Sequence, residues 1–298
     1  MEHHHHHEHN YDIKNLGNIF LIGILLNVLF VLVEFSTGFY YNSIGLISDA
    51  GHNLGDVASL VLSMLAYKLS KVHKNNKYTY GYKKSTVLVS LLNAVILLVS
   101  VGFISAESIH KLFNPQPLEG FAIAWVAGIG VVINALTAFL FIKDKEKDLN
   151  VKGAYLHMAA DALVSVGVVI SGIVIAFTGW YIIDPIIGLF IALMIVVSTW
   201  KLLHESIRLS LDGVPTNIDI ERIEKMIVSE QYVESVHDLH IWALSTTETA
   251  LTSHIVISDM SRMEEIKAHL KKILSEEGVS HATLEFEGKN ICCLNNCF

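Results

Sequence analysis

Charged residues are scarce in this chain. They make up 17% of its 298 residues, whereas roughly 25% is typical of a soluble domain. Hydrophobic residues account for 52%, and the mean hydropathy is +0.48. This composition is too apolar for an ordinary soluble protein and predicts a membrane protein. The net charge of −8 gives no indication of nucleic-acid binding.

Several sequence motifs of catalysis are also absent. No G-x-x-x-x-G-K-[ST] phosphate loop occurs, which argues against ATP as the energy source. No His-Glu-x-x-His helix occurs, and no Ser or Cys nucleophile pairs with a membrane histidine, so an integral-membrane metalloenzyme is disfavoured. Only three cysteines are present, and an odd number argues against a disulfide framework.

The hydrophobic residues fall into six blocks, each long enough for the roughly 20 helical residues that cross a bilayer. The blocks are Leu16–Tyr40, Ile44–Leu69, Thr86–Leu112, Leu118–Ile142, Val151–Thr178 and Ile183–Leu203. The first is too long for a signal peptide, and no cleavage-like site follows it. Lysines cluster after the second and fourth blocks, which predicts that those connections and both termini face the cytoplasm.

From about Gly213 the sequence becomes charged and amphipathic, which predicts a second, soluble domain. Hydrophobic periodicity predicts helices at Ile218–Glu230 and Glu264–Glu277, and strands at Val233–Ala243, Ala250–Ile257 and Thr283–Glu287. The predicted fold is therefore a six-helix α-helical polytopic membrane protein with a C-terminal α+β (αββαβ) cytosolic domain. We expect a His-rich tail at 1–15, the membrane domain at 16–211 and the cytosolic domain at 212–298.

Two predicted membrane helices carry the same pattern of ionisable residues, which are energetically costly to place inside a membrane. His52 and Asp56 lie four residues apart in the second block, and His157 and Asp161 repeat this spacing in the fifth. Such a spacing puts both side chains on one helix face, one turn apart. If the two faces meet, two imidazoles and two carboxylates form a tetrahedral set suited to Zn²⁺. One pair alone could be a structural clamp, but two matched pairs favour an ion site.

Other polar residues in the membrane blocks allow two interpretations. Asp49 and Asn53 could extend the polar path of the second block or could be helix-end groups. A second set could line a water-filled vestibule or form hydrogen bonds between helices, and the hydrogen bonds are favoured. This set comprises Asn27, Glu34, Asn93 and Asn134.

Five motifs together resemble the cation diffusion facilitator family of zinc exporters. They are Ile47-Ser-Asp-Ala-Gly-His-Asn-Leu-Gly-Asp56, Tyr80-Gly-Tyr-Lys-Lys84, Ala154-Tyr-Leu-His-Met-Ala-Ala-Asp161, Asp184-Pro185 and Val236-His-Asp-Leu-His-Ile-Trp242. The resemblance implies a homodimer with a metallochaperone-like cytosolic domain. It also implies that the two His/Asp pairs coordinate the transported ion, which in members with a histidine in the second span is zinc and often cadmium.

The resemblance further implies a cytosolic zinc site formed by His237, His254 and Glu287. His240 is a near alternative within the Val-His-Asp-Leu-His stretch, and His269 is a possible accessory ligand. The three cysteines, Cys292, Cys293 and Cys297, lie at the extreme C-terminus. Soft thiolates beside His and Glu favour a zinc or copper(I) site there, with a structural or regulatory role.

The N-terminus carries six histidines in its first nine residues. It is either an expression tag or a native tail that collects metal in the cytosol, and the interrupted run favours the native tail.

The sequence therefore predicts a secondary active transporter that exports Zn²⁺, and also Cd²⁺, across a bacterial cytoplasmic membrane in exchange for protons. Zinc requires neutral His and ionised Asp, so metal loading expels protons and protonation expels metal. The expected partners are a second copy of the chain, the lipid bilayer, divalent metal ions and protons. The alternatives are a zinc-binding sensor or scaffold that does not transport, and a passive channel.

Overall fold

The computed structural model describes residues 16–40, 44–114 and 120–288. Its N-terminal part consists of six long helices that match the six predicted blocks. They are α1 (Leu16–Tyr40), α2 (Ile44–Ser70), α3 (Ser85–Phe113), α4 (Gly120–Phe141), α5 (Leu149–Thr178) and α6 (Ile183–Ser210). By length and composition, α1, α3, α5 and α6 could cross a membrane, and among the described residues α4 has a shorter apolar stretch at Ala127–Phe141.

The apolar residues of the sixth block end at Leu203, but the helix that contains them, α6, continues to Ser210. Charged side chains after Trp200 lower the hydropathy, so composition alone ends the block too early. Leu202, Ser206 and Leu209 are nevertheless buried at helical spacing. One face of α6 therefore stays packed while the opposite face becomes polar, which keeps the helix continuous.

The helices pack mainly in three pairs, α1 with α2, α3 with α6, and α4 with α5. A cluster of buried side chains that includes Phe20, Leu60, Phe141 and Met158 joins α1, α2, α4 and α5. The outer surfaces expose large apolar side chains such as Phe103, as expected for helices that face lipid. The packing also brings α2 against α5, so the two helices with the His/Asp pairs are neighbours.

Hydrogen bonds between helices are observed for three of the four polar residues considered above. Asn27 donates to Thr137 at 3.2 Å, linking α1 to α4. Asn53 on α2 donates to Glu34 on α1 at 2.5 Å. Asn93 on α3 accepts from one α2 serine at 2.9 Å and donates to another at 2.6 Å. The expectation of such a bond does not hold for Asn134, whose amide oxygen has no hydrogen-bond partner among the described residues.

The C-terminal domain has the predicted αββαβ order. Its elements are α7 (Ile220–Val228), β1 (Val233–Ala243), β2 (Thr249–Ile257), α8 (Met263–Glu276) and β3 (Val279–Gly288). β1 pairs antiparallel with β2, and β2 pairs parallel with β3, so the sheet is mixed in the order β1-β2-β3. The core of the domain comprises apolar side chains of α7, α8 and the sheet, including Ile223, Ile255 and Leu270.

The loop between β1 and β2, residues 244–248, lies against the membrane helices. The hydroxyl of Thr246 donates to Asp148 Oδ2 at 2.7 Å, and its backbone N–H donates to Thr86 Oγ1 at 3.1 Å. Asp148 is also the N-cap of α5, because its Oδ1 accepts from the backbone N–H groups of Asn150 and Val151. The cytosolic domain is thus bonded directly to the first turn of the helix that carries His157 and Asp161.

Two adjacent lysines at the start of α3 strengthen this junction. Lys83 forms an ion pair with Glu248 of the β1–β2 loop. Lys84 Nζ lies 2.5 Å from Asp212 Oδ1 and donates to the carbonyl oxygens of Leu209 at 2.8 Å and Ala243 at 3.1 Å. These contacts connect α3, the end of α6 and the end of β1.

Candidate metal sites

Three of the four predicted membrane ligands meet between α2 and α5. His157 Nε2 lies 2.5 Å from Asp56 Oδ1 and 3.8 Å from Asp161 Oδ2. One ligand atom from each of the three residues lies within 4.8 Å of the others. Asp56 and His157 are buried, at 3% and 2% exposure. The fourth predicted ligand, His52, lies on α2 one turn before Asp56, and its side chain is outside the described ones.

Two atoms of this membrane cluster have no hydrogen-bond partner among the described residues. They are His157 Nδ1 and Asp161 Oδ2, and both are buried. An unsatisfied buried polar atom costs about 1–3 kcal/mol, so each one calls for an explanation, such as a bound water or ion. The cluster thus contains two carboxylates and one imidazole, and one of the carboxylate oxygens has no hydrogen-bond partner. These groups are suitable ligands for a divalent cation.

The shortest distance within the cluster is that of a hydrogen bond. Zinc binds N and O ligands at about 2.0–2.2 Å, so neighbouring tetrahedral ligand atoms lie about 3.3–3.5 Å apart. The contact of 2.5 Å between His157 Nε2 and Asp56 Oδ1 is a hydrogen bond. A metal ion would have to displace that proton and separate the two groups by about 1 Å.

A second cluster lies on the sheet of the cytosolic domain. His237 on β1 pairs directly with His254 on β2, and their ring centroids are 5.3 Å apart. Glu287 on β3 is 8% exposed. One of its oxygens lies 2.6 Å from His254 Nδ1 and the other 3.7 Å from His237 Nε2. One ligand atom from each of the three residues lies within 4.8 Å of the others, and two imidazoles with one carboxylate suit zinc.

The hydrogen bond to Glu287 raises the pKa of His254 above its ordinary value. Glu285 and Asp238 lie 3.6 Å and 3.7 Å from the other nitrogen of the same ring, and their charges act in the same direction. Asp238 was not singled out from the sequence. The one sequence feature that could have identified it is its position between the two histidines of the Val-His-Asp-Leu-His stretch.

His240 and His269 are not part of this cluster. The β1–β2 register shifts between His237 and His240, at a bulge where Asp238 has a φ of +51°. His240 Nε2 instead lies 2.9 Å from Asp238 Oδ1, with a largely exposed side chain. His269 on α8 bonds to Glu230 at 2.6 Å. The bulge therefore decides between His237 and His240, because it re-aims the side chains that follow it.

The remaining predicted ligands cannot be placed. Cys292, Cys293 and Cys297 lie outside the described residues, as does the His-rich segment 1–15. The backbone of Asp49 belongs to α2, but its side chain is outside the described ones.

The fold and these clusters define a class: a polytopic helical membrane protein with a buried His/Asp cluster and an α+β domain attached. A family model described as the cation efflux transmembrane domain matches residues 20–209. A second, described as the cytoplasmic domain of cation efflux proteins, matches residues 215–287. The chain therefore belongs to the cation efflux family, and the resemblance inferred from its motifs is confirmed.

Curated relatives cover most of the chain. The cadmium, cobalt and zinc/H(+)-K(+) antiporter of Bacillus subtilis is 32% identical over 284 residues, which span 94% of this chain and 91% of that protein. The metal cation efflux system protein CzcD of Cupriavidus metallidurans is 35% identical over 268 residues, or 89% and 85% of the two chains. The zinc transporter ZitB of Escherichia coli is 32% identical over 261 residues, or 87% and 83%.

Proposed function

We propose that this protein exports Zn²⁺, and also Cd²⁺, from the cytoplasm in exchange for protons. The observation that carries the proposal is the buried Asp56–His157–Asp161 cluster between two membrane helices. Charged side chains inside a membrane are costly and mark ion pathways. The names of the relatives support the ion class, since they specify zinc, cadmium and cobalt, and one of them is an antiporter.

The proposed transport site consists of His52, Asp56, His157 and Asp161 in a tetrahedral arrangement. Imidazole nitrogens favour zinc and similar transition metals, whereas Mg²⁺, Ca²⁺ and Mn²⁺ prefer sites made only of oxygen. The donor set thus disfavours a carrier dedicated to magnesium or calcium. Because these four ligands close the coordination sphere, no open position is left for catalysis.

Proton coupling follows from the contact between Asp56 and His157. A hydrogen bond between these two groups requires a proton at the place where a metal ion would bind them. Metal arriving from the cytoplasm displaces this proton, and protons arriving from the far side displace the metal. Alternating access would expose the site to one side at a time, so that neither ion leaks.

The cytosolic cluster would have a different role, as a regulatory or structural zinc site. His237, His254 and Glu287 would hold the ion, and Cys292, Cys293 and Cys297 of the tail would complete this or a neighbouring site. Zinc bound there would tighten a homodimer, and the matched cytoplasmic-domain family model is named for dimerisation. In the proposed topology the domain at 212–298 and the tail at 1–15 lie in the cytoplasm, and residues 16–211 span a bacterial cytoplasmic membrane.

The decisive experiment is zinc flux into proteoliposomes under an imposed pH gradient. We expect gradient-dependent uptake in the wild type and none in Asp161→Asn, which keeps the side-chain volume but removes a charged ligand. Glu107→Gln is a matched control, because Glu107 is exposed near the end of α3 and pairs only with Lys111 at 2.8 Å among the described residues.

Two results would refute proton-coupled export. Stoichiometric zinc binding without any flux in the wild type would favour the sensor or scaffold. Rapid flux that ignores the pH gradient would favour a passive channel.

A further inference from the structure

Asn134 on α4 is a buried polar residue whose amide oxygen is not satisfied. It is 2% exposed, and its Oδ1 has no hydrogen-bond partner within the described residues. Asn27 on α1 and Asn93 on α3, which are equally buried, are bonded to hydroxyl groups. An apolar residue at position 134 would avoid the cost of desolvating this amide, so its presence calls for an explanation, such as a bound water or ion.

The position of Asn134 follows from the packing of α4 against α5. The two helices are joined by a short connection and run antiparallel. A Cβ atom on Gly130 of α4 would lie 3.3 Å from Ser165 Oγ of α5, which sets these two residues at one level. One helical turn toward the cytoplasm leads from Gly130 to Asn134 on α4 and from Ser165 to Asp161 on α5. Asn134 therefore lies level with Asp161.

Both residues lie on the faces that the two helices direct toward each other. Asn134 is one turn from Gly130 on the same face of α4, and Asp161 is one turn from Ser165 on the same face of α5. One turn after Asn134 on α4, Ala138 packs in the same buried cluster as Ala154 and Met158 of α5. These two residues precede Asp161, as expected if the two antiparallel helices are in this register.

Two unsatisfied oxygens thus occur in one layer of the membrane domain, Asp161 Oδ2 and Asn134 Oδ1. A carboxylate oxygen and an amide oxygen are both acceptors, so they cannot bond to each other when Asp161 is ionised. A cation lying between them would satisfy both oxygens at once, as would a water molecule that donates one hydrogen to each. Among the described residues no donor does so.

We infer that Asn134 is a further ion-binding residue of the transport path, where its amide oxygen receives the divalent cation beside Asp161. This inference rests on the proposed function. The amide adds an oxygen without adding charge, so it does not increase the number of protons exchanged. A carboxylate at this position would add a charged oxygen ligand, which would shift the preference of the path toward harder ions such as Mn²⁺.

The test compares three variants in the full-length protein reconstituted in proteoliposomes. Asn134→Leu removes the oxygen but keeps the branching and the number of heavy atoms of the side chain, and Asn134→Asp adds a negative charge at nearly the same shape. Thr199→Val is the matched control, because Thr199 on α6 is also fully buried with an unsatisfied hydroxyl. Zinc flux, Mn²⁺ flux and the melting temperature are measured for each.

We expect Asn134→Leu to lower zinc flux by about 10–100-fold while the melting temperature stays the same or rises, because an unsatisfied amide is removed. Thr199→Val should also keep or raise the melting temperature but leave the flux unchanged. Asn134→Asp should raise the ratio of Mn²⁺ to Zn²⁺ flux, which a merely structural role would not change.

Two outcomes would overturn the inference. The first is a zinc flux in Asn134→Leu equal to that of the wild type. The second is a loss of flux in Asn134→Leu together with a lower melting temperature, while the ratio of Mn²⁺ to Zn²⁺ flux in Asn134→Asp stays unchanged. Failure of the proposed function is distinguishable, because the wild type itself would then show no gradient-dependent zinc flux.

Discussion

The bond between the cytosolic domain and α5 leads to a quantitative prediction for Asp148→Ala. Asp148 caps α5 through its Oδ1 and accepts the hydroxyl of Thr246 through its Oδ2. Loss of an N-cap costs about 1 kcal/mol. A hydrogen bond to a charged group contributes about 1.5–3 kcal/mol, and the lower end applies because this pair is only partly buried. The variant should therefore be destabilised by about 2–3 kcal/mol.

Two further variants separate the cap from the contact between domains. Thr246→Val removes only the hydroxyl bond and should cost about 1–2 kcal/mol. Asp219→Ala is the matched control, because Asp219 caps α7 by accepting from the N–H of Arg222 but lies wholly within the cytosolic domain. It should cost about 1 kcal/mol.

The assay is a double-mutant cycle on unfolding of the full-length protein in detergent. We expect a coupling energy of about 1–1.5 kcal/mol between positions 148 and 246. Equal destabilisation by Asp148→Ala and Asp219→Ala, with a coupling energy below about 0.5 kcal/mol, would refute the reasoning. In that case the β1–β2 loop would not hold the start of α5, and the contact between the domains would carry no energy.

Three further predictions concern the cytosolic cluster and the helix packing. Glu287→Gln should weaken zinc binding to the cytosolic cluster by at least about tenfold in calorimetry, whereas His240→Ala should not; equal effects would contradict the assignment. In NMR titrations of the metal-free protein, His254 should titrate above the ordinary value of about 6.5 and return toward it in Glu287→Gln. The pair thus stabilises the fold below about pH 6.5 and loses this contribution as the pH rises through the raised pKa. Gly167→Ala should lower the melting temperature, because its Cβ would lie 2.5 Å from Ile191 Cδ1. Adding Ile191→Val should partly restore the melting temperature. An unchanged melting temperature in Gly167→Ala would show that the helices adjust freely.

Much of the fold was predictable because its signals are local. The apolar blocks gave α1 with its observed bounds and the other helices within a few residues, apart from the end of α6. In the cytosolic domain, alternation and turn residues predicted β1 at its observed bounds. β3 begins at Val279, earlier than the predicted Thr283, because its first residues alternate less clearly. The sequence did not specify the strand directions of the mixed sheet, because they depend on contacts between residues distant in sequence.

The candidate membrane site was predictable for a similar reason. A spacing of four residues places His157 and Asp161 on one face of α5 whatever the rest of the chain does. The sequence also showed that the same pattern recurs in α2. It could not show that Asp56 and His157 share a hydrogen bond, because that contact joins residues separated by 101 positions.

By itself, the sequence determined the number of long helices, the change to a soluble domain and the residue types of both candidate metal clusters. These follow from composition and from periods of two or 3.6 residues, which local backbone geometry imposes. Only the tertiary structure decided that a bulge at Asp238 separates His240 from the cluster, and that Asn134 stands level with Asp161. Both depend on register between elements, and register is set by packing across the whole fold.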